Sequence, residues 1–222
     1  MAQVVDWGVR EYSESLEAMR AMVRARRDGS IPDTLILVGH PPVVTVGVEG
    51  DDGAAERSGL PVVSVERGGR ATYHGPGQLI GYPIVDLARR GRDVRRFVHD
   101  VEELVVRSLA PFGVSAGHVH GRRGVWVDGE RKIASIGIAV DHWVTSHGFA
   151  LNVDPDLEAF GRFHPCGFDG SVMTSLRKEL ARAVDLREVT PHVVESWHSI
   201  FDGVQEPSPP PVSANESAPA RA

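Results

Sequence analysis

Residues 124–153 read GVWVDGERKIASIGIAVDHWVTSHGFALNV, three apolar runs separated by Asp128-Gly129 and by Asp141-His142. Asp-Gly between alternating apolar segments is a strong hairpin signal, because a tight turn needs backbone conformations that these residues adopt readily. Strands joined this closely pair antiparallel, since a parallel pair needs a crossover of a dozen or more residues. The stretch predicts a meander within an α+β fold, a largely antiparallel or mixed sheet flanked by helices, and argues against a doubly wound parallel sheet.

Outward from the meander, Leu16, Met19, Met22 and Val23 recur at helical spacing and predict an amphipathic helix over about Tyr12–Arg27. TLILVG (Thr34 to Gly39) and PVVTVGV (Pro42 to Val48) predict two strands around a corner at His40-Pro41-Pro42, whose prolines cannot sit in a central ladder. Asp93 caps a second helix, in which Val94, Phe97, Val98, Val101, Leu104, Val105 and Leu109 form an apolar stripe that ends before Pro111. A third helix is expected to begin at Thr190-Pro191, a cap followed by proline at the first helical position, and to turn Val193, Val194, Trp197 and Phe201 inward. One domain is expected over residues 1–204. The tail at 205–222, QEPSPPPVSANESAPARA, holds too little apolar surface to offset its ordering entropy and is expected to be disordered.

The 222 residues are 41% hydrophobic and 24% charged, with 24 Lys plus Arg against 30 Asp plus Glu, a net charge of -6. That balance supplies no phosphate-binding excess, so no nucleic-acid partner is expected. No run approaches the roughly 20 apolar residues of a membrane span, and Met1 to Arg10, which contains Asp6, has no signal-peptide core, so no membrane association and a cytoplasmic location are expected. No helix shows a second exposed apolar stripe, and a monomer is expected. The single cysteine, Cys166, excludes intramolecular disulfides and Cys-rich zinc sites, and is either inert core or reactive.

Two segments invite chemistry. Glu66 to Gly81 reads ERGGRATYHGPGQLIG: Gly68-Gly69 and Gly75-Pro76-Gly77 permit close backbone approach, while Arg67, Arg70, Thr72, Tyr73, His74 and Gln78 supply donors. This is a ligand-binding loop or a Gly-rich turn, and neither a dinucleotide fingerprint nor a P-loop. Cys166 sits between Pro165 and Gly167 in RFHPCGFDG, where free amides could face an acyl thioester and its oxyanion. A thiol with a pKa near ~8.5 needs a cation or imidazole to become a nucleophile at neutral pH. Lys132, His74, His147 and His164 are the candidates. Lys132 is the unusual one, since alternation through KIASIGIAV places it on one face with Ala134, Ile136 and Ile138. An ammonium there either snorkels to water or has a role. His164-Pro165-Cys166 does not have the spacing of a zinc knuckle, and no metal site is expected.

Taken together and in this order, RGGRATYHGPGQLIGYPIVDL, GVWVDGERKIASIG, SHGFALNV and HPCGF resemble the octanoyltransferases of lipoic acid biosynthesis, from about Pro41 through Leu176. The resemblance implies a fold like that of biotin and lipoate protein ligases, and transfer of an octanoyl group from octanoyl-acyl carrier protein to a lysine of lipoyl domains. Those acceptors are the lipoyl domains of oxoacid dehydrogenase E2 subunits and the glycine cleavage H protein, and no cofactor is implied. By the same resemblance Cys166 carries the acyl thioester and Lys132 favours its thiolate. Arg67, Gly68, Gly69, Arg70, Ala71, Thr72, Tyr73 and His74 form a first substrate-binding segment, Ser135, Ile136 and Gly137 a second, and Gly148, Phe149 and Ala150 a third. His164 departs from the pattern, which more often has an aliphatic or amide residue before Pro-Cys-Gly, so proton transfer could be shared. Apolar residues around Ile136, Ile138, Phe149 and Leu151 are expected to hold the acyl chain. Arg89, Arg90, Arg92, Arg95 and Arg96, placed against the dipole of the second helix, are either a solvated face of an otherwise acidic protein or a patch that could receive an acidic carrier. An ATP-dependent lipoate or biotin ligase, an acyl-Cys hydrolase and a non-catalytic binding module are the competing readings.

Overall fold

The computed structural model describes residues 2–51, 53, 55–162 and 170–202. The elements run β1 (Gln3–Val9), α1 (Tyr12–Arg27), β2 (Thr34–Gly39), β3 (Val43–Val46), β4 (Val62–Ser64), β5 (Ala71–His74), β6 (Gln78–Ile84), α2 (Val94–Leu109), β7 (Ala116–Val119), β8 (Arg122–Val127), β9 (Arg131–Asp141), β10 (Val144–Asn152), α3 (Leu176–Leu180) and α4 (Leu186–Phe201). A seven-stranded sheet has the order β1-β2-β6-β10-β9-β8-β7, and a three-stranded sheet the order β4-β3-β5. Within the large sheet β1 and β2 are parallel, joined through α1, and the remaining neighbours are antiparallel. The sheet is therefore mixed, with the expected meander β8-β9-β10 intact.

Alternation sorts the large sheet into two faces. Ile36, Val38, Ile80, Tyr82 and Ala150 pack beneath Tyr12, Leu16, Met19 and Val23 of α1. Leu35, Leu37, Leu79, Phe149 and Leu151 pack on the other face against Phe97, Val101, Leu104 and Leu109 of α2 and Val189, Val193, Trp197 and Phe201 of α4. A third cluster under the small sheet joins Val44, Ala71, Tyr73, Phe160 and Met173. The β9–β10 turn lies one residue later than Asp141-His142 implied: Asp141 pairs with Val144, and the two loop residues His142 and Trp143 both have positive φ, the geometry that matches strand twist.

Three expectations need correction. Helix α4 starts one turn earlier than Thr190-Pro191, because Asp185 and Glu188 form a reciprocal capping box that satisfies the first amides, leaving Pro191 inside the helix. The α2 cap stands where expected, with the Asp93 carboxylate accepting the Arg96 amide at 3.0 Å. Alternation through β9 is broken, because the ladder to β8 passes from Val125–Ala134 to Trp126–Lys132 and skips Ile133, a bulge of one extra residue. The first substrate-binding segment is loop only through Arg70; Ala71–His74 is strand β5.

Candidate active site

The three segments singled out by resemblance meet around one cavity. Its walls are Arg67, Thr72 and His74 from the first, Ser135, Ile136 and Gly137 from β9, and Gly148, Phe149 and Ala150 from β10. Tyr12, Tyr82 and His147 complete it, and its volume is about 30 Å³. Thr72 and His74 face inward while Ala71 and Tyr73, one position out of phase on β5, belong to the separate cluster against Phe160. Gly148 permits the closeness of β6 and β10 here, since a Cβ on it would collide with the Gly81 carbonyl oxygen.

Apart from Arg67, this cavity is built from neutral groups. His74 is stacked on Tyr12 at 5.8 Å between ring centroids, and His40 shares a hydrogen bond of 2.8 Å with the Tyr82 hydroxyl. Burial holds the His74 imidazole well below its ordinary range, with His40 and Arg67 adding to the effect, and burial lowers His40 as well. Burial brings His147 down to about 4, although Glu66, 3.7 Å from its Nε2, pulls the other way. Burial also pushes the Tyr12 hydroxyl up to about 12 and Tyr82 well above its ordinary value. Imidazoles so depressed are weak bases, which counts against His74 as a proton acceptor. His147 has φ +57 within β10, a strained conformation for a non-glycine residue, and its amide donates to the Met19 sulfur at 3.2 Å.

Arg67 divides this cavity from a second. Its guanidinium is buried and donates to Gly68 O at 3.1 Å, Arg70 O at 2.9 Å, and Thr45 O and Oγ1 at 2.8 Å each, which fixes the 67–70 loop against β3. On the far side a chamber of about 250 Å³ is lined by Gly68, Gly69, Arg70, Lys132 and Ile136 together with Arg122 and Arg123. Lys132 is only 1% exposed, so it does not snorkel to water. Its Nζ lies 5.7 Å from the Trp126 ring centroid, and the Arg122 guanidinium lies 5.3 Å from the same ring. Gly124 makes room for the lysine: it has φ +103, and a Cβ there would meet Lys132 Cε at 2.7 Å. Glu102 of α2 accepts the Gly124 amide at 2.9 Å and holds this corner in place.

Cys166 and His164 lie outside the described residues, as does the tail at 205–222. Close to Cys166 in sequence, Met173 bridges to Lys132, and the Thr174 amide donates to the Lys132 carbonyl at 3.0 Å. Among the apolar residues expected to hold an acyl chain, Ile136 and Phe149 line the first cavity, Ile138 lines a neighbouring groove and Leu151 is packed in the core. Within the arginine patch, Arg90 binds Asp33 at 3.0 Å and the Phe201 carbonyl, Arg89 pairs locally with Asp86 at 3.3 Å, Arg92 stacks on Trp143, and Arg95 and Arg96 are exposed. Tyr12 and Tyr82 were not legible as site residues, because each comes from a core position whose spacing signals only packing. Among the described residues no cluster of His, Cys, Asp and Glu could hold a metal ion, and no helix is long and apolar enough to cross a membrane.

The family model described as lipoyl protein ligase A/B catalytic domain matches residues 11–198. A solved structure of a putative lipoate protein ligase from T. acidophilum with bound lipoic acid matches with a TM-score of 0.70 at 18% identity, covering 90% of this chain and 86% of that one. A biotin protein ligase from Aquifex aeolicus matches at 0.54 and 11% identity, covering 90% and 70%. At those identities the likeness is one of fold. The octanoyltransferase of Geotalea uraniireducens is 43% identical over 199 residues, 90% of this chain and 92% of that protein, and that of Rubrobacter xylanophilus is 47% identical over 204 residues, 87% and 90%. The chain belongs to the lipoyl protein ligase A/B catalytic family and, within it, to the octanoyltransferases, acyltransferases of protein lipoylation.

Proposed function

We propose that the protein moves an octanoyl group from octanoyl-acyl carrier protein to the target lysine of lipoyl domains, those of oxoacid dehydrogenase E2 subunits and the glycine cleavage H protein, through a thioester on Cys166. The observation that carries the reading is the buried Lys132 ammonium at the inner end of a chamber walled by the 67–70 loop. A cation kept from water interacts strongly with a thiolate, because little solvent screens the pair.

In the first half-reaction the Cys166 thiolate attacks the donor thioester carbonyl, and the tetrahedral oxyanion collapses to acyl-Cys166 as the carrier sulfur leaves. Lys132 gives that sulfur its proton and becomes a neutral amine. In the second, the incoming lysine amine attacks acyl-Cys166, neutral Lys132 takes the proton the amine sheds, and Cys166 departs as thiolate. The pair returns to its starting state, and thioester-to-amide transfer runs downhill without ATP. The neutral cavity beyond Arg67 suits the acyl chain, whose methylenes gain nothing from charge. At about 30 Å³ it lies far below the roughly 300–1,000 Å³ of ordinary ligand pockets, so an eight-carbon chain enters only by displacing side chains.

The test is intact mass of wild type and Cys166→Ala after incubation with octanoyl-acyl carrier protein without ATP, followed by an apo lipoyl domain. Acyl mass on wild type alone, chased onto the lipoyl domain, is expected. Transfer that requires ATP and survives Cys166→Ala would replace this reading with an adenylating ligase.

A further inference from the structure

The chamber over Lys132 does not end at the arginines of its rim. It continues into a groove of about 550 Å³ between α2 and β9, and Gly68, Arg122, Arg123 and Ile136 line both. Along this groove the chemistry changes in order. Lys132 stands at the inner end. In the middle, β9 presents an open strand edge: its pairing with β8 stops at Ala134, and among the described residues no strand covers that side farther along. The Gly68 amide reaches it, donating to the Ile138 carbonyl at 3.0 Å, which by alternation puts the peptide groups of Ile136 and Ile138 on the groove side. Val98 and Val119 supply the apolar wall opposite. At the outer end, beyond the chamber, stands Arg95 of α2, while Arg122 and Arg123 of β8 line both chamber and groove; all three are exposed.

This outer end is cationic in a protein of net charge -6. Its carboxylates are already engaged. Glu102 accepts from Gly124 and contacts His118 at 3.0 Å, and Glu49 accepts from Gly69 at 3.1 Å and lies 3.4 Å from Arg123. Arg95 has no ion-pair partner among the described residues, and Arg122 is held over Trp126. A ligand matching the sequence of features carries a thioester at one end, amides able to pair with a strand edge in the middle, and a phosphate at the other end.

Building on the acyl-transfer reading above, we propose that this groove binds the 4′-phosphopantetheine arm of the acyl donor. Its thioester lies at Lys132, its amides lie along the open edge of β9, and its phosphodiester lies among Arg95, Arg122 and Arg123. Strand-edge pairing gives affinity through main-chain hydrogen bonds, and guanidinium groups match phosphate geometry. A groove of about 550 Å³ is far smaller than a folded partner and suits a flexible arm, which leaves the partner's body outside.

The experiment compares octanoyl-4′-phosphopantetheine with octanoyl-pantetheine, which lacks only the phosphate, as donors to an apo lipoyl domain. For wild type the ratio of kcat/KM values is expected to favour the phosphorylated donor by about tenfold or more, the worth of one or two charge-assisted hydrogen bonds. Arg122→Gln/Arg123→Gln and Arg95→Gln are expected to bring that ratio toward one. Arg187→Gln, at an exposed position on α4 away from the groove, is expected to leave the ratio unchanged. Equal use of both donors by wild type would overturn the phosphate site while leaving acyl transfer standing. Loss confined to the intact carrier protein, with the small-donor ratio unmoved, would also overturn it and assign the arginines to the partner's surface. Transfer from neither small donor, with the intact carrier also inactive, would overturn the acyl-transfer reading and this inference with it.

Discussion

Two cavities share Arg67 and Ile136 as a common wall, and they differ in charge. On one side Tyr12, His74, Tyr82 and His147 are all held in their uncharged forms by burial. On the other, Lys132, Arg122 and Arg123 gather around a chamber that opens to solvent through the groove. Polar residue types therefore do not make a charged site: imidazoles that burial holds neutral behave as shaped, weakly polar wall. Arg67 separates the two environments because its own charge is satisfied by backbone carbonyls and Thr45.

The contrast is broken most directly at Lys132. Lys132→Met keeps the volume and removes the charge, and acyl transfer should fall by roughly 10²–10⁴-fold, the range for loss of a general acid or base. Folding stability should be held or raised, because an apolar isostere replaces a buried cation. Steady-state rates alongside a denaturant midpoint check both halves. A small loss of rate would mean that the cationic chamber does not house the chemistry.

Gly148→Ala attacks the neutral cavity from its frame. The added methyl meets the Gly81 carbonyl and Pro83 Cδ, so β6 and β10 must separate, at a cost of about 3 kcal/mol or more in urea unfolding. Gly124→Ala does the same to the cationic side through Lys132 Cε and the Ala134 carbonyl, on backbone that alanine resists. About 1–3 kcal/mol is expected, with activity reduced beyond what the stability loss explains.

A pH series sharpens the comparison by titrating one side only. His147 titrates at about 4 in the folded protein and near its ordinary 6.5 when unfolded, so between those values the unfolded chain binds more protons. Its contribution to stability is complete above pH 6.5 and is lost as pH falls toward 4, with a slope of up to about 1.4 kcal/mol per pH unit. His147→Asn, which tolerates the positive φ, should flatten the melting-temperature profile in that window. The smallest effect belongs to Arg20→Gln. Its pair with Glu66 at 3.0 Å is half-exposed and contributes at most about 1 kcal/mol, and a larger loss would show that the Glu66 carboxylate governs His147.

Much of the frame was readable before any coordinates. Helix α1 and strand β2 fall where apolar spacing places them, and the meander follows from its turn residues, because local periodicity and turn chemistry carry that information. The parallel edge strand β1 was missed, since QVVDWGV is short, half-exposed and interrupted by Asp6 and Gly8. The start of α4 was misread because Thr190-Pro191 imitates a cap whose role Asp185 takes, and only the reciprocal Glu188 contact distinguishes them.

For the site, sequence alone determined which segments deserved attention: the Gly-rich run after Glu66, the lysine opening an apolar strand, and the lone cysteine. Only the tertiary structure decided that the three segments singled out by resemblance meet at one cavity with Tyr12 and Tyr82, and that Lys132 belongs to the chamber beside it. It also decided that Arg90 braces the fold through Asp33 and the Phe201 carbonyl while Arg95 faces a groove with Arg122 and Arg123. The physical reason is that periodicity reports which way a side chain points from its own element. Burial, charge state and neighbours depend on which elements pack against it, and those contacts span residues far apart in the chain.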